Sequence, residues 1–281
     1  MKLTPLAVIG DPIAHSLSPM LHGDIIARHQ LPYTYTAHLV KAGETEQFLR
    51  FAIQEGIQGF NATMPHKIAL LSLVDHVHED AAYYGSINTV RIRDGKSYGY
   101  NTDVAGLLSS LASHGITIQR KRLMILGAGG VAGSIVRASA KEGAYRVTVL
   151  NRSLDKATEL CSGREQLCFP GEMTQDNLSR EAKESDLIIN CTPLGMEGVA
   201  GDFEDFSFLD GTKAAVVDLI YRPSETRLLA EAKKRGLVSF NGLGMLIRQG
   251  ILAFELFTDC KLDHDAEAAL LEQALKEALH L

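Results

Sequence analysis

The chain has 281 residues, 46% hydrophobic and 22% charged, with a formal net charge of −6. That length fits about two domains of ~150 residues each. The composition excludes a disordered, collagenous or small disulfide-stapled protein, and the acidic balance argues against a nucleic-acid-coating surface. The first residues carry one Lys and only a short apolar run, Leu6 to Ile9, too little for a secretory signal. The most apolar long segment, Leu243 to Phe257, is interrupted by Arg248, Gln249 and Glu255, so no membrane span is expected. The cysteines, Cys161, Cys168, Cys191 and Cys260, show neither CxxC spacing nor accompanying histidines. They read as reduced thiols of a cytoplasmic protein without a metal site.

The first hundred residues alternate strands and helices. Leu6 to Gly10 reads as a strand, and Pro19 to Gln30 as a helix with Ser18 as N-cap and Pro19 in its first turn. A strand follows at Tyr33 to Leu39, then a helix from Glu44 to Glu55 ending at Gly56. Gly59 to Ala62 is a short strand and Pro65 to Val74 a helix. Ile87 to Arg93 and Lys96 to Tyr100 flank Asp94-Gly95, a hairpin signal. Asp103 to His114 reads as a helix that joins two domains stiffly.

A second alternating series begins near Lys121. Strands are expected at Leu123 to Leu126, Tyr145 to Leu150, Asp186 to Asn190, Ala214 to Leu219 and Leu237 to Phe240. Helices are expected at Val131 to Glu142, Leu154 to Cys161 and Glu225 to Arg235. Gly163 to Arg180 has no clear period, and Gly195 to Gly211 reads as a loop. The end, from Gly242, offers two helices with no sheet of their own to cover, so they are expected to pack on the first domain. The fold expected is α/β with two domains. Residues 1–104 with 241–281 form a mainly parallel α/β domain, and 105–240 form a doubly wound, Rossmann-type dinucleotide domain.

Gly127-Ala128-Gly129-Gly130-Val131-Ala132 follows an apolar strand and opens a helix. Gly127 permits the tight turn, Gly129 allows a pyrophosphate to approach the backbone, and Ala132 allows close helix–strand packing. The helix N-terminus adds free N–H groups and partial positive charge. The next strand ends in Asn151-Arg152-Ser153 without the carboxylate that binds ribose hydroxyls in NAD sites. Arg152 offers charge-assisted bonds to a phosphate and a flat surface to adenine, and Asn151 and Ser153 add neutral hydrogen bonds. These residues point to NADP.

Further signatures are His15-Ser16-Leu17-Ser18-Pro19, Asn61-Ala62-Thr63-Met64-Pro65-His66-Lys67, Ile87-Asn88-Thr89 and Asn101-Thr102-Asp103. Later come Asn190-Cys191-Thr192-Pro193-Leu194-Gly195-Met196, Tyr221 and Gly242-Leu243-Gly244-Met245 followed by Gln249. Together, in this order and over nearly the whole chain, they resemble the shikimate dehydrogenase family. The resemblance implies reversible reduction of 3-dehydroshikimate to shikimate with NADPH, within aromatic amino acid and chorismate biosynthesis. It implies that Ser16 and Ser18 bind the substrate carboxylate. Thr63, Asn88, Asp103 and Gln249 hold ring hydroxyls, Tyr221 lines the same pocket, and Thr192 and Gly242 contact the cofactor. Lys67 and Asp103 match the catalytic pair.

The chemistry agrees with the residue types. A polyhydroxylated carboxylate needs many neutral donors and acceptors. Reduction of a ketone needs a proton for the new alkoxide, which the Lys67 ammonium supplies while stabilising negative charge on oxygen. Oxidation of the alcohol needs the amine uncharged, so that direction is expected to accelerate toward alkaline pH. Structural readings compete at several positions. Ser18 and Asp103 are both good helix caps, Asn88 suits a turn edge, and Tyr221 suits a core. Lys67 lies in the first turns of its expected helix, where a cation opposes the dipole. His15 and His66 read as supporting or surface residues.

Departures from the family pattern are small. Ala62 and Met64 replace valines common there, and Ser86-Ile87 replaces Ala-Val. They leave the choice between shikimate and quinate open, and a quinate/shikimate dehydrogenase using NAD is a second reading, against which Asn151 to Ser153 argue. A non-catalytic NADP-binding sensor is a third reading, against which both Lys67 and Asp103 argue. The expected partner is a small molecule, with no nucleic acid and no membrane, and the chain is expected to act as a monomer or homodimer.

Overall fold

The computed structural model describes residues 3–278. It divides into two compact units, the chain up to Ser110 with the residues from Gly244 onward, and Leu111–Leu243.

In the first unit the elements run β1 (Thr4–Gly10), α1 (Ser18–Arg28), β2 (Tyr33–Leu39), α2 (Thr45–Gln54), β3 (Gly59–Ala62), a 3-10 turn (Ala69–Ser72), β4 (His76–Val77), α3 (Glu79–Tyr84), β5 (Thr89–Arg93) and β6 (Lys96–Tyr100). α4 (Asp103–Ser113) follows and spans the division between the units. The sheet order is β2-β1-β3-β5-β6-β4. β1 pairs in parallel with β2 and β3, whereas β5 runs antiparallel to both β3 and β6. β1 is buried from Leu6 to Gly10, which explains its unbroken apolar run, while the edge strand β2 alternates and is partly exposed. Asp94 and Gly95 both take positive φ, 51° and 73°, the twist a two-residue hairpin turn requires. A core of Ile9, Phe48, Phe60, Leu70, Ile87 and Val90 fills one face.

In the second unit β7 (Arg122–Leu126), α5 (Gly130–Lys141), β8 (Arg146–Asn151), α6 (Leu154–Cys161), β9 (Cys168–Glu172), α7 (Gln175–Glu184) and β10 (Leu187–Asn190) come first. A 3-10 turn (Ser207–Leu209), β11 (Ala215–Asp218), α8 (Arg227–Lys234) and β12 (Ser239–Asn241) complete it. The sheet is wholly parallel, in the order β12-β11-β10-β7-β8-β9. Two βαβαβ halves therefore diverge from β7, and the chain reverses direction between β7 and β10, which is the Rossmann arrangement. α9 (Leu243–Thr258) and α10 (His264–Ala278) close the chain. Among the described residues no helix is long and apolar enough to cross a membrane, and no cluster of metal-ligating side chains occurs.

The structure corrects several expectations. Pro65 to Val74 is not an α-helix but a series of turns ending in the 3-10 segment. The segment of unclear period holds β9 and α7, and β4 and α3 were not anticipated. Ser18 is not an N-cap: α1 begins at Ser18, and the Ser16 hydroxyl accepts from the Ser18 N–H at 3.3 Å. Cys161 and Cys168 are not free thiols. The end of α6 and the start of β9 bring their Cα atoms to 5.1 Å, within disulfide reach, and the two are bonded. Cys191 and Cys260 remain free.

α10 docks on α1 through a carboxylate. Glu267, 5% exposed, accepts from Arg28 at 2.6 Å and pairs with His29 at 2.5 Å. Burial pushes its carboxyl up, but the Arg28 and His29 hydrogen bonds outweigh burial and leave it below the usual glutamate range. A depressed folded-state value stabilises the fold above the unfolded value of about 4.3, and that contribution is lost as pH falls through the folded value. Glu267→Gln is expected to cost about 1.5–3 kcal/mol at pH 7. The gap to the parent protein should shrink as denaturation is followed down to about pH 3, and a pH-independent gap would contradict this account.

Candidate active site

In the first unit, polar side chains gather where β1 and β3 end and α4 begins. Asn88 is their centre and is 2% exposed. Its amide nitrogen donates to Asp103 Oδ1 (2.8 Å), Thr102 Oγ1 (2.9 Å) and Gln249 Oε1 (3.2 Å). Its oxygen accepts from the Thr102 backbone N–H (2.7 Å) and the Thr89 hydroxyl (3.2 Å). The Thr102 N–H can only donate, so the orientation of the Asn88 amide is fixed, and its nitrogen faces the carboxylate.

Asp103 turns its second oxygen to Lys67, whose Nζ donates to Oδ2 at 2.7 Å. The two side chains keep 22% and 13% exposure, so the pair is accessible to a ligand. Asp103 is not spent on capping α4. That bond comes from Asn101, whose Oδ1 accepts from the Val104 N–H at 3.2 Å.

The turn carrying Lys67 is pinned by its neighbour. His66 is buried, and its Nε2 lies 2.9 Å from the Val40 carbonyl, which only accepts, so Nε2 carries the proton. Nδ1 then accepts from the Thr45 hydroxyl at 2.8 Å. His66 is thus an internal brace and not a surface residue, whereas His15 is exposed. The Lys67 carbonyl also accepts from the Ile87 N–H, which ties it to the segment leading to Asn88.

Gln249, on α9, is 7% exposed and donates to the Leu246 carbonyl while offering its oxygen to Asn88. Gly106 makes this approach possible, because a Cβ there would lie 2.8 Å from Gln249 Cβ. Thr63 follows β3, and a Cβ at Gly10 would lie 2.3 Å from its methyl group. Ser16 and Ser18 lie at the start of α1. Lys67, Asn88, Asp103 and Gln249 thus share one hydrogen-bonded network.

The network also includes residues to which sequence reasoning gave no role. Asn61 donates to the Asn88 carbonyl and the Thr89 hydroxyl, and accepts from Tyr35 Oη at 2.7 Å. Asn61 and Thr102 lie inside the quoted signatures, so their polar character was visible. Tyr35 sits on an edge strand that gave no such signal.

In the second unit, β7 leads into the glycine turn. Gly127 has φ +97°, and a Cβ there would lie 2.9 Å from the Thr192 methyl, so both conformation and space require glycine. Ala128 and Val131 are half-buried, Ala132 is fully buried, and Gly129 and Gly130 are exposed with open space beside them. No side chain caps α5, so its first N–H groups remain available to an anion. β8 ends at Asn151, whose amide donates to the Ser153 carbonyl. Arg152 is exposed and makes no hydrogen bond or ion pair with another described residue.

Across the strand ends, Thr192 donates both its N–H and its hydroxyl to Asn190 Oδ1, at 3.0 and 2.7 Å. Tyr221 is partly buried, and burial raises its phenol above the usual value. Gly242 admits no side chain, since a Cβ would lie 2.1 Å from the Leu219 carbonyl oxygen.

Three family models match the chain. The shikimate dehydrogenase substrate binding domain matches residues 8–90, shikimate/quinate 5-dehydrogenase matches 110–196, and the shikimate 5'-dehydrogenase C-terminal domain matches 242–276. A shikimate dehydrogenase (NADP(+)) of Bacillus anthracis is 38% identical over 256 residues, 90% of this chain and 92% of that protein. A shikimate 5-dehydrogenase of Thermus thermophilus, solved with NADP(H) and shikimate, is 33% identical with a TM-score of 0.85 and covers 97% of this chain and 100% of that one. The Listeria monocytogenes enzyme, solved with shikimate and NAD, is 30% identical with a TM-score of 0.84 and covers 96% of each chain. With matches that reach from the first sheet to the closing helices, the chain belongs to the shikimate dehydrogenase family.

Proposed function

We propose that this protein is an NADP-dependent shikimate dehydrogenase that reversibly reduces 3-dehydroshikimate to shikimate. The observation that carries this reading is the accessible Lys67–Asp103 pair at 2.7 Å, held inside the buried amide network of Asn88. Residues 1–104 with 241–281 serve as the substrate-binding domain and 105–240 as the NADP-binding domain. The protein acts in the cytoplasm as a monomer or homodimer, on a small-molecule substrate and without nucleic acid.

The residues of the second unit fit NADP. The uncapped start of α5 and the open space beside Gly129 and Gly130 suit a pyrophosphate. The unpaired Arg152, with no carboxylate in Asn151-Arg152-Ser153, suits a 2′-phosphate. Thr192 and Gly242 contribute further contacts. Bound NADPH supplies the hydride.

The substrate chemistry falls to the first unit. Ser16 and Ser18 bind the carboxylate beside the N-terminus of α1. Thr63, Asn88 and Gln249 hold ring hydroxyls. Lys67 gives its Nζ proton to the carbonyl oxygen as that oxygen gains charge, and it takes the proton back in oxidation. Asp103 aims Lys67 and bonds a neighbouring hydroxyl. Because Asp103 is itself held by Asn88, the lysine is aimed before substrate arrives.

Initial rates measured with NADP or NAD against shikimate or quinate test the assignment. Turnover confined to NADP with shikimate is expected, and comparable rates with NAD or quinate would replace the cofactor or the substrate while leaving the fold. Lys67→Ala should retain shikimate binding but turn over at least about 100-fold more slowly. In the parent enzyme shikimate oxidation should accelerate toward alkaline pH. Unchanged turnover in the variant, or a flat profile, would remove Lys67 from the proton step. Arg152→Ala should raise the dissociation constant of NADP+ by about tenfold while leaving that of NAD+ nearly unchanged. An equal effect on both cofactors would refute 2′-phosphate recognition.

A further inference from the structure

Asp218 ends β11 fully buried, and its carboxylate is surrounded by donors. Oδ1 accepts from the Asn190 amide at 3.0 Å and from the Ile220 backbone N–H at 3.1 Å. Oδ2 accepts from the Thr226 hydroxyl at 2.6 Å, and that same hydroxyl caps α8 through the Leu229 N–H. The direction of the chain is fixed by its obligate donors. Asn190 Oδ1 receives the Thr192 N–H, so the Asn190 nitrogen must face Asp218, and only an acceptor satisfies it there.

Following the bonds outward, Asp218 orients Asn190, and Asn190 holds both the backbone and the hydroxyl of Thr192. Thr192 packs directly against the glycine turn at Gly127. The second arm fixes Ile220, whose carbonyl accepts from the Gly242 N–H and whose next residue is Tyr221. One carboxylate thus braces the segments carrying Thr192, Tyr221 and Gly242. A buried aspartate that served only to end a strand would need none of this, and an uncharged residue would spare the cost of burying a charge.

We propose that Asp218 is a positioning residue for the cofactor, acting through Asn190 to hold Thr192 against the glycine turn. This rests on the reading of Thr192 as a cofactor contact. The mechanism is preorganisation: Thr192 is held in one place before the nucleotide binds, so no ordering cost falls on binding.

The test is a double-mutant cycle read by the dissociation constant of NADP+ at equilibrium, with thermal midpoints recorded alongside. Asp218→Leu, nearly the same shape but with no acceptor for Asn190, should weaken NADP+ by about tenfold, raising KM for NADP more than it lowers kcat. Thr192→Val should also weaken it. In the Thr192→Val background, Asp218→Leu should add less than about twofold, because the two act along one path. Asp218→Asn keeps an acceptor oxygen for Asn190 and should restore most of the affinity. Thr226→Ala, which removes the remaining bond to Asp218 and the α8 cap, should lower the thermal midpoint and leave NADP+ affinity unchanged. If Asp218→Leu does not fold, Asn190→Ala cuts the same path at its middle and is read in the same way. Unchanged affinity in Asp218→Leu, multiplicative effects in the double variant, or equal weakening by Thr226→Ala would each overturn the proposal. No effect of Thr192→Val would overturn the cofactor reading of Thr192, and the proposal with it.

Discussion

Asn88 carries two demands at once. Its oxygen must meet two donors, and the two N–H groups of its nitrogen are shared among three acceptors, with water excluded. A buried amide left partly unmatched costs about 1–3 kcal/mol, so the surrounding backbone is held where every bond closes. The entry to α4, the hydroxyls of Thr89 and Thr102, and Gln249 on α9 are positioned by that requirement. Asp103 receives one of these bonds and directs its other oxygen to Lys67. The placement of the lysine therefore depends on an amide two hydrogen bonds away.

The parallel sheet of the second unit meets the same problem with different groups. Ends of parallel strands release backbone groups that must be paired, and Asn190 and Asp218 pair them while standing opposite each other in register. Burial pushes the Asp218 carboxyl up, and the hydrogen bonds from Thr226, Ile220 and Asn190 counter that push. Cys191 beside it has its thiol pushed well up by burial and by the same carboxylate, which makes it a poor nucleophile in spite of lying between Asn190 and Thr192.

The elements legible in the sequence were those set by local rules. β2, β3 and β6, the Asp94-Gly95 turn, the glycine turn and α6 followed from period, apolar runs and turn residues. The misses have a common cause in distant contacts. The Lys67 turn has helix-like spacing, yet His66 is drawn to Thr45 and Val40 and the Lys67 carbonyl to Ile87, which leaves room only for a short 3-10 turn. β9 contains Pro170 and Gly171, which weaken a strand signal and are tolerated because β9 lies at the sheet edge. α7 is polar over most of its surface and buries chiefly Leu178, Glu181 and Ala182. The signatures contain most members of one hydrogen-bonded network, but the parts that Asn61, Thr89, Thr102 and Asn101 play in it depend on which atoms meet, and spacing carries no such information. The bond between Cys161 and Cys168 escaped notice for the same reason.

The first unit is built from two stretches of chain separated by the whole of the second. Its early part leaves gaps shaped for its late part. A Cβ at Gly59 would lie 2.2 Å from the Phe257 ring, and one at Gly250 would lie 2.8 Å from Leu21. Gln58 donates to the Phe257 carbonyl, and Arg28 waits for Glu267. During synthesis the ribosome therefore finishes the interior unit while the first sheet still lacks α9 and α10. The β3 surface that Phe257 covers stays bare for the translation of well over a hundred residues, at roughly 5–20 residues per second. Aggregation risk during synthesis thus falls on the first sheet until α9 and α10 reach it.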